Sequence, residues 1–199
     1  SHLWIDFRGI QDAFMREKRC DYFENSRRAV AVQQQYASRN PMGFEGYGEN
    51  GWGITAGPGP GRTRQRADDG IERQFYGYVA RGVPFGPDDG TLAPWATIAS
   101  LPFAPEAVLA ALRRFRESYP QVVSAEGLLT SFNPSFETAS GARGWLSSEH
   151  LGIDQGPVAI GIENHRSGLL WSLMRTCPAI VTGLERAGFR GGWLRSKGR

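Results

Sequence analysis

No run of this 199-residue sequence approaches the roughly 20 consecutive apolar residues of a membrane span. Cysteine is scarce. Cys20 and Cys177 stand far apart with no CxxC pair, so they read as buried thiols or as one long-range disulfide, buried thiols being the better reading. The three histidines lack metal-ligand spacing, and neither a metal nor a cofactor is expected. Lysine stands only at 18 and 197, so arginine supplies 21 of the 23 basic residues. Those arginines are dispersed, apart from a basic tail over 186–199, and the net charge is only +3. A nucleic-acid reader would gather its cations on one face, so no nucleic-acid partner is expected. There is no GxSxG elbow, no P-loop and no dinucleotide fingerprint after a strand. The "GPGPG" at 57–61 alternates its glycines with prolines, which remove the backbone donors a phosphate cradle needs. Internal repeats and low-complexity tracts are absent as well.

What remains is a chain with 40% hydrophobic residues, lean but sufficient for a core. Helical periodicity marks 21–39, where Phe23, Ala29, Val30, Tyr36 and Ala37 oppose Arg27, Arg28, Gln34 and Gln35. Asn40-Pro41 should end it. A second helix is expected over 104–119, opened by Pro105 and Glu106 and stopped by Pro120. The region 157–188 reads as two helices, one over 157–175 and one from Pro178, with Gly188 as a C-terminal cap. Long loops separate these helices. Residues 40–104 hold most of the glycine and proline, 57–70 reading as a flexible excursion and 73–82 as a strand or hairpin arm. Residues 121–153 form a second loop region. The sequence "SHLWIDFRG" opens inside a dense motif and reads as a cut from something longer.

Loops carry function more often than the scaffold that holds them. Four segments pair acids with aromatics, amides and glycines. "SHLWIDFRG" offers His2, Trp4 and Asp6; "GYGENGWGITAG" offers Tyr47, Glu49 and Trp52; "PFGPDDGTLAPWA" offers Asp88, Asp89 and Trp95; "HLGIDQGPVAIGIENHR" offers Asp154, Gln155 and Glu163. This mixture suits a sugar. Indole and phenol rings cover the C–H face of a pyranose, while acids and amides hold its hydroxyls. Glycines would thin the wall around Glu49. Cleaving a glycosidic bond then takes two carboxyl groups.

Each residue also has a plainer reading. A tryptophan can be core. "PDDGT" can be only a tight turn. Asp154 can cap a helix, and Glu49 can be a solvated loop residue. Structural roles suit His2 and His165 better than metal ligation, and Glu163 can form a surface pair with Arg166. The concentration of such residues in four segments favours the sugar reading.

Seven stretches together, "SHLWIDFRGIQD", "DYFENSRRA", "GYGENGWGITA", "GPDDGTLAPWA", "SLPFAPE", "FNPSF" and "LGIDQGPVAIGIENHRSGLLW", resemble the bacterial glycoamylase-like domain family. That family includes endo-β-1,2-glucanases, and its relatives include the transglycosylating part of cyclic β-1,2-glucan synthases. The resemblance runs from residue 1 to about 174. It implies a mainly α fold, an (α/α)6 toroid of which this chain would form the C-terminal half as a single domain over 1–199, with an N-terminal half of the same domain as partner. It implies a periplasmic or secreted glycoside hydrolase acting on an oligo- or polysaccharide, a β-linked glucan and most expectedly β-1,2. Asp154 would be the water-activating base. Glu49 would be the hydroxyl binder or alternate acid, and the remaining ten residues above would contact substrate. A transglycosylase or a non-catalytic carbohydrate-binding domain are the alternatives, separable by the products formed.

Overall fold

The computed structural model describes residues 1–67 and 69–194. The end of the basic tail, 195–199, and Asp68 lie outside the described residues. Helices dominate, joined by short two-stranded antiparallel ladders.

Helix α1 (Ala13–Glu17) is short and begins at Asp12, whose carboxylate accepts from the Met15 N–H. Helix α2 (Tyr22–Arg39) begins the same way at Asp21, which accepts from Glu24 N–H. Glu24 in turn pairs with Arg27 and Arg28, three and four residues on. The helix ends on Asn40, in the left-handed region at φ +43°. The Asn40 amide then clasps the chain beyond it: Nδ2 donates to the Phe44 carbonyl, and Oδ1 accepts from the Phe44 N–H. The turn that leads into the glycine-rich segment is thereby fixed to the helix.

Residues 40–104 are more ordered than expected. Strands β1 (Thr63–Arg66) and β2 (Glu72–Phe75) pair in register Thr63↔Phe75 to Arg66↔Glu72, so the excursion at 57–70 is in part a hairpin arm. Helix α3 (Pro94–Ala99) follows, with Pro94 in its first turn. It occupies a stretch read from sequence as loop, because at six residues it has too few turns to show a period. Helix α4 (Pro105–Ser118) matches the expected element and buries Val108, Ala111 and Phe115.

The second loop region also forms strands. β3 (Val123–Ser124) pairs with β4 (Gly127–Leu128), and β5 (Phe132–Glu137) with β6 (Arg143–Leu146). Pro134 sits in β5 where the register shifts between Asn133 and Glu137, a place where a ladder tolerates a residue without N–H.

Helix α5 (Gly152–Arg166) begins five residues before the expected start at Pro157. A proline there forfeits one backbone bond to the carbonyl four residues back, and nothing else in the first turn forbids a helix. The expected single helix over 157–175 is interrupted at Gly168, which takes φ +68°. Helix α6 (Leu169–Arg175) follows. Helix α7 (Pro178–Arg186) closes with the Gly188 cap as expected: Gly188 N–H donates to Glu185 O, and Phe189 N–H to Leu184 O. Both cysteines are free thiols and half-buried rather than buried.

The main core joins α2, α3, α4 and the loops between them, through Val30, Ala37, Phe44, Trp52, Ile54, Leu92, Phe115 and Phe132. The rings of Phe115 and Phe132 meet edge to face at 5.9 Å. A smaller core of Phe7, Ile10, Leu184 and Leu194 ties the first ten residues to α7.

Candidate active site

The expected residues fall into three groups. The first surrounds Asp154, which lies in the first turn of α5 rather than in a loop before it. The residue is 4% exposed, and its Oδ2 is buried without a hydrogen-bond partner. Burial raises its pKa, the nearby Glu149 charge adds to the rise, and a hydrogen bond with Thr130 works against it. The helix is pinned in place one residue on. The Gln155 amide pairs with Leu128 in both directions, Nε2 donating to the carbonyl at 2.7 Å and Oε1 accepting from the N–H at 3.3 Å. Gln155, expected to touch sugar, thus mimics a strand and staples α5 to β4. Gly127 stands against Gln155 so closely that a Cβ there would meet its Oε1 at 2.6 Å.

The second group surrounds the glycine-rich segment. Glu49 is exposed and lines an open hollow of about 600 Å³ with Gln34, Gln35, Ser38 and Arg39 of α2. The Gln34 amide donates to the Glu49 carbonyl at 3.0 Å, which holds the segment against the helix. The glycines do more than thin a wall. Gly48 and Gly51 exchange both backbone bonds, and a Cβ on Gly51 would overlap the Gly46 carbonyl oxygen. Gly46 and Gly53 take φ +88° and +119°. Only residues without Cβ close a turn this tight.

Asp88 accepts from two phenols, Tyr47 at 2.5 Å and Tyr36 at 2.9 Å. Burial pushes the Tyr36 phenol up to about 12, with the bond to Asp88 next in effect. Burial likewise lifts Tyr47, and the Asp88 charge adds to it. Both phenols therefore stay protonated donors at any physiological pH. Tyr36 was not among the expected residues; only its place on the apolar face of α2 was legible.

Several residues expected to face sugar are enclosed by this chain and serve the scaffold. Trp52 is 1% exposed and stacked into the main core, where its length of apolar ring outweighs any role at a surface. Trp95 packs against the same core with Nε1 buried. Asp89 is fully buried, held by Arg81 Nε at 2.7 Å and Nη2 at 2.8 Å, with Tyr76 N–H and Thr91 N–H completing its shell. No lone pair is left free for a hydroxyl. Its backbone carbonyl accepts from Asn133, which also reaches Thr91.

The third group lies where the chain's first residues meet α5 and α6. Asp6 is buried and bridges Arg8 and Arg175. Burial alone would raise its carboxyl, but the Arg8 hydrogen bonds and both guanidinium charges bring it below the ordinary value. Like Asp89, it is spent on cations. His2 sits between Phe7 and Phe103 with Ser26 on Nε2 at 2.9 Å. Burial, together with the α-amino group, lowers it to about 4. Its carbonyl accepts from Trp171 Nε1, and Leu3 O accepts from Asn164. Trp4 is exposed. Glu163 pairs with Arg166 at 2.8 Å and accepts from Ser167, the plainer reading of that residue.

Of the two candidate acids, Asp154 stands buried in the first turn of α5 and Glu49 stands exposed on the glycine-rich turn against α2. Residues 1–178 match the glycoamylase family, described as "Putative glucoamylase", and the chain belongs to that family. It is 29% identical over 185 residues to the exo β-1,2-glucooligosaccharide sophorohydrolase (non-reducing end) of Parabacteroides distasonis, covering 92% of this chain and 23% of that protein. Among solved structures, one from Bacteroides uniformis with the same glucoamylase description superposes with TM-score 0.77 at 33% identity, over 98% of this chain and 40% of that one. The endo-β-1,2-glucanase from Chitinophaga pinensis, in complex with sophorotriose and glucose, superposes with TM-score 0.75 at 28% identity, over 97% and 40%. The chain thus spans well under half the length of the relatives it matches.

Proposed function

We propose that this chain is the C-terminal part of a glycoside hydrolase acting on β-1,2-glucan, the N-terminal part completing an (α/α)6 toroid around the sugar. Asp154 carries the reading: a carboxyl without a partner on one buried oxygen, raised in pKa by its surroundings, is poised to take a proton from water near neutral pH. Glu49 is the second acid, on the rim of a hollow large enough for sugar units. The relatives that act on β-1,2-linked glucans supply the substrate class. The family resemblance supports a periplasmic or secreted location.

The test is hydrolysis of linear β-1,2-glucan by the full-length protein, with β-1,3-glucan and starch as controls and products separated by chain length. We expect cleavage of β-1,2-glucan alone. Asp154→Asn should lower turnover by roughly 10²–10⁴, the usual worth of a general base. Unchanged turnover in that variant would remove Asp154 from the mechanism.

A further inference from the structure

We propose that Tyr78 and Phe85 form an aromatic grip for a glucan chain. Its linkage, β-1,2, rests on the reading of the substrate under Proposed function, and the grip is independent of Asp154. Phe85 is 99% exposed and Tyr78 78%, the two most exposed aromatic residues among those described. A single apolar side chain at a surface is ordinary. Here two rings are mounted on one rigid knot, one on each side of Arg81.

On the far side of Arg81 the chain is closed into a loop. The guanidinium holds the buried Asp89 carboxylate through Nε at 2.7 Å and Nη2 at 2.8 Å, which ties the two ends of 81–89 together. Within it, Gly82 N–H donates to the Pro87 carbonyl at 3.2 Å, and Gly86 N–H to the Gly82 carbonyl at 2.7 Å. A Cβ on Gly86 would meet that Gly82 oxygen at 2.5 Å, so the close approach requires glycine. Phe85 stands next to it inside the closed loop. Val83 packs against the main core, and Asp88 joins the loop to Tyr36 of α2 and to Tyr47 of the glycine-rich turn. On the near side, Arg81 Nη2 also donates to the Gly77 carbonyl at 3.1 Å, and Val79 exchanges both backbone bonds with Gly57. Tyr78, between Gly77 and Val79, is thereby held by the same guanidinium.

The charge on this surface selects the ligand. From Tyr76 to Gly90 the charged residues are Arg81, Asp88 and Asp89, and all three are bonded within the fold. The exposed positions, 78, 80 and 84–87, carry no charge. They suit a neutral ligand with C–H faces and offer nothing to an acidic or a basic partner. A glucan is such a ligand: each pyranose presents a C–H face to a ring, and the Tyr78 hydroxyl can donate to or accept from a sugar hydroxyl. Because the backbone is already fixed, binding has little to order beyond the two side chains.

The experiment is pulsed hydroxyl-radical oxidation of the full-length protein, read residue by residue by mass spectrometry, with linear β-1,2-glucan, with the same mass of starch, and with neither. We expect oxidation of Tyr78 and Phe85 to fall several-fold with β-1,2-glucan alone. Phe85→Ala, at a position with no packing to lose, should raise KM for β-1,2-glucan by roughly fivefold or more. Rings oxidised equally with and without glucan, or a Phe85→Ala variant with wild-type KM, overturn the grip. Rings already shielded before any glucan is added are covered by another part of the protein, which overturns it as well. Shielding by starch and not by β-1,2-glucan upholds the grip and overturns the substrate class. Cleavage of β-1,2-glucan beside unshielded rings overturns the grip and leaves the substrate class standing.

Discussion

Replacing Asp154 by asparagine exchanges a buried carboxyl for a neutral amide of nearly the same shape. At pH 7 the wild-type carboxylate holds one buried oxygen without a partner, which costs about 1–3 kcal/mol. Its place in the first turn of α5 returns ~0.3–1 kcal/mol through the helix dipole. The net penalty is about 1 kcal/mol. The sign follows from the direction of the shift. Because the folded pKa lies above the unfolded one, the folded state holds the proton longer, and wild-type stability falls as pH rises from the unfolded value through the folded one. Below the ordinary carboxylate range both states are protonated and the penalty vanishes. Asp154→Asn should therefore melt ~2–4 °C above wild type at pH 7, for a protein of this size, with the gap closing toward pH 3.5. Paired thermal melts across that range, followed by circular dichroism, read the difference directly. An asparagine variant of equal or lower stability at pH 7, or a gain that does not shrink in acid, would refute the account of Asp154 as an underhydrated charge.

Two further outcomes follow from the scaffold. Arg81→Ala strands the buried Asp89 carboxylate along with the Gly77 carbonyl and leaves the Gly57 carbonyl with the Val79 N–H alone, and chemical denaturation should show a loss of about 3–5 kcal/mol. Gly51→Ala places a Cβ on the Gly46 carbonyl and should cost ~1–3 kcal/mol in the same assay; a loss under half of that would mean the turn yields easily.

The helices that sequence revealed are those with punctuation at both ends. Asp21 and Asn40 bracket α2, Pro105 and Pro120 bracket α4, and Pro178 and Gly188 bracket α7. The start of α5 was missed because Pro157 mimics a first-turn proline while standing five residues inside. Of the first hairpin only one arm was expected, over 73–82, where β2 covers the start; β1, the later ladders and α3 were missed because elements of two to six residues carry too little periodicity to stand out from a glycine-rich background. In the site, residue type was legible and partnership was not. "PDDG" gives no hint that Asp88 would meet two tyrosines while its neighbour is sealed by an arginine. Asp154 stood out for its motif, but Thr130, in the plain apolar run "LLTSF", carries no signal until the chain folds over it.

The tethers around Asp89 also decide where the chain can change length. Arg81, Asp89, Gly57 and Asn133 form one knot, and Ser131 adds a bond to Pro58 O. Any residue added between 81 and 89 would draw acid and guanidinium apart. Around Gly70, by contrast, the β1–β2 ladder ends in solvent, with that glycine at φ +76° and room on every side. Extra sequence there would lengthen an arm and leave the knot intact.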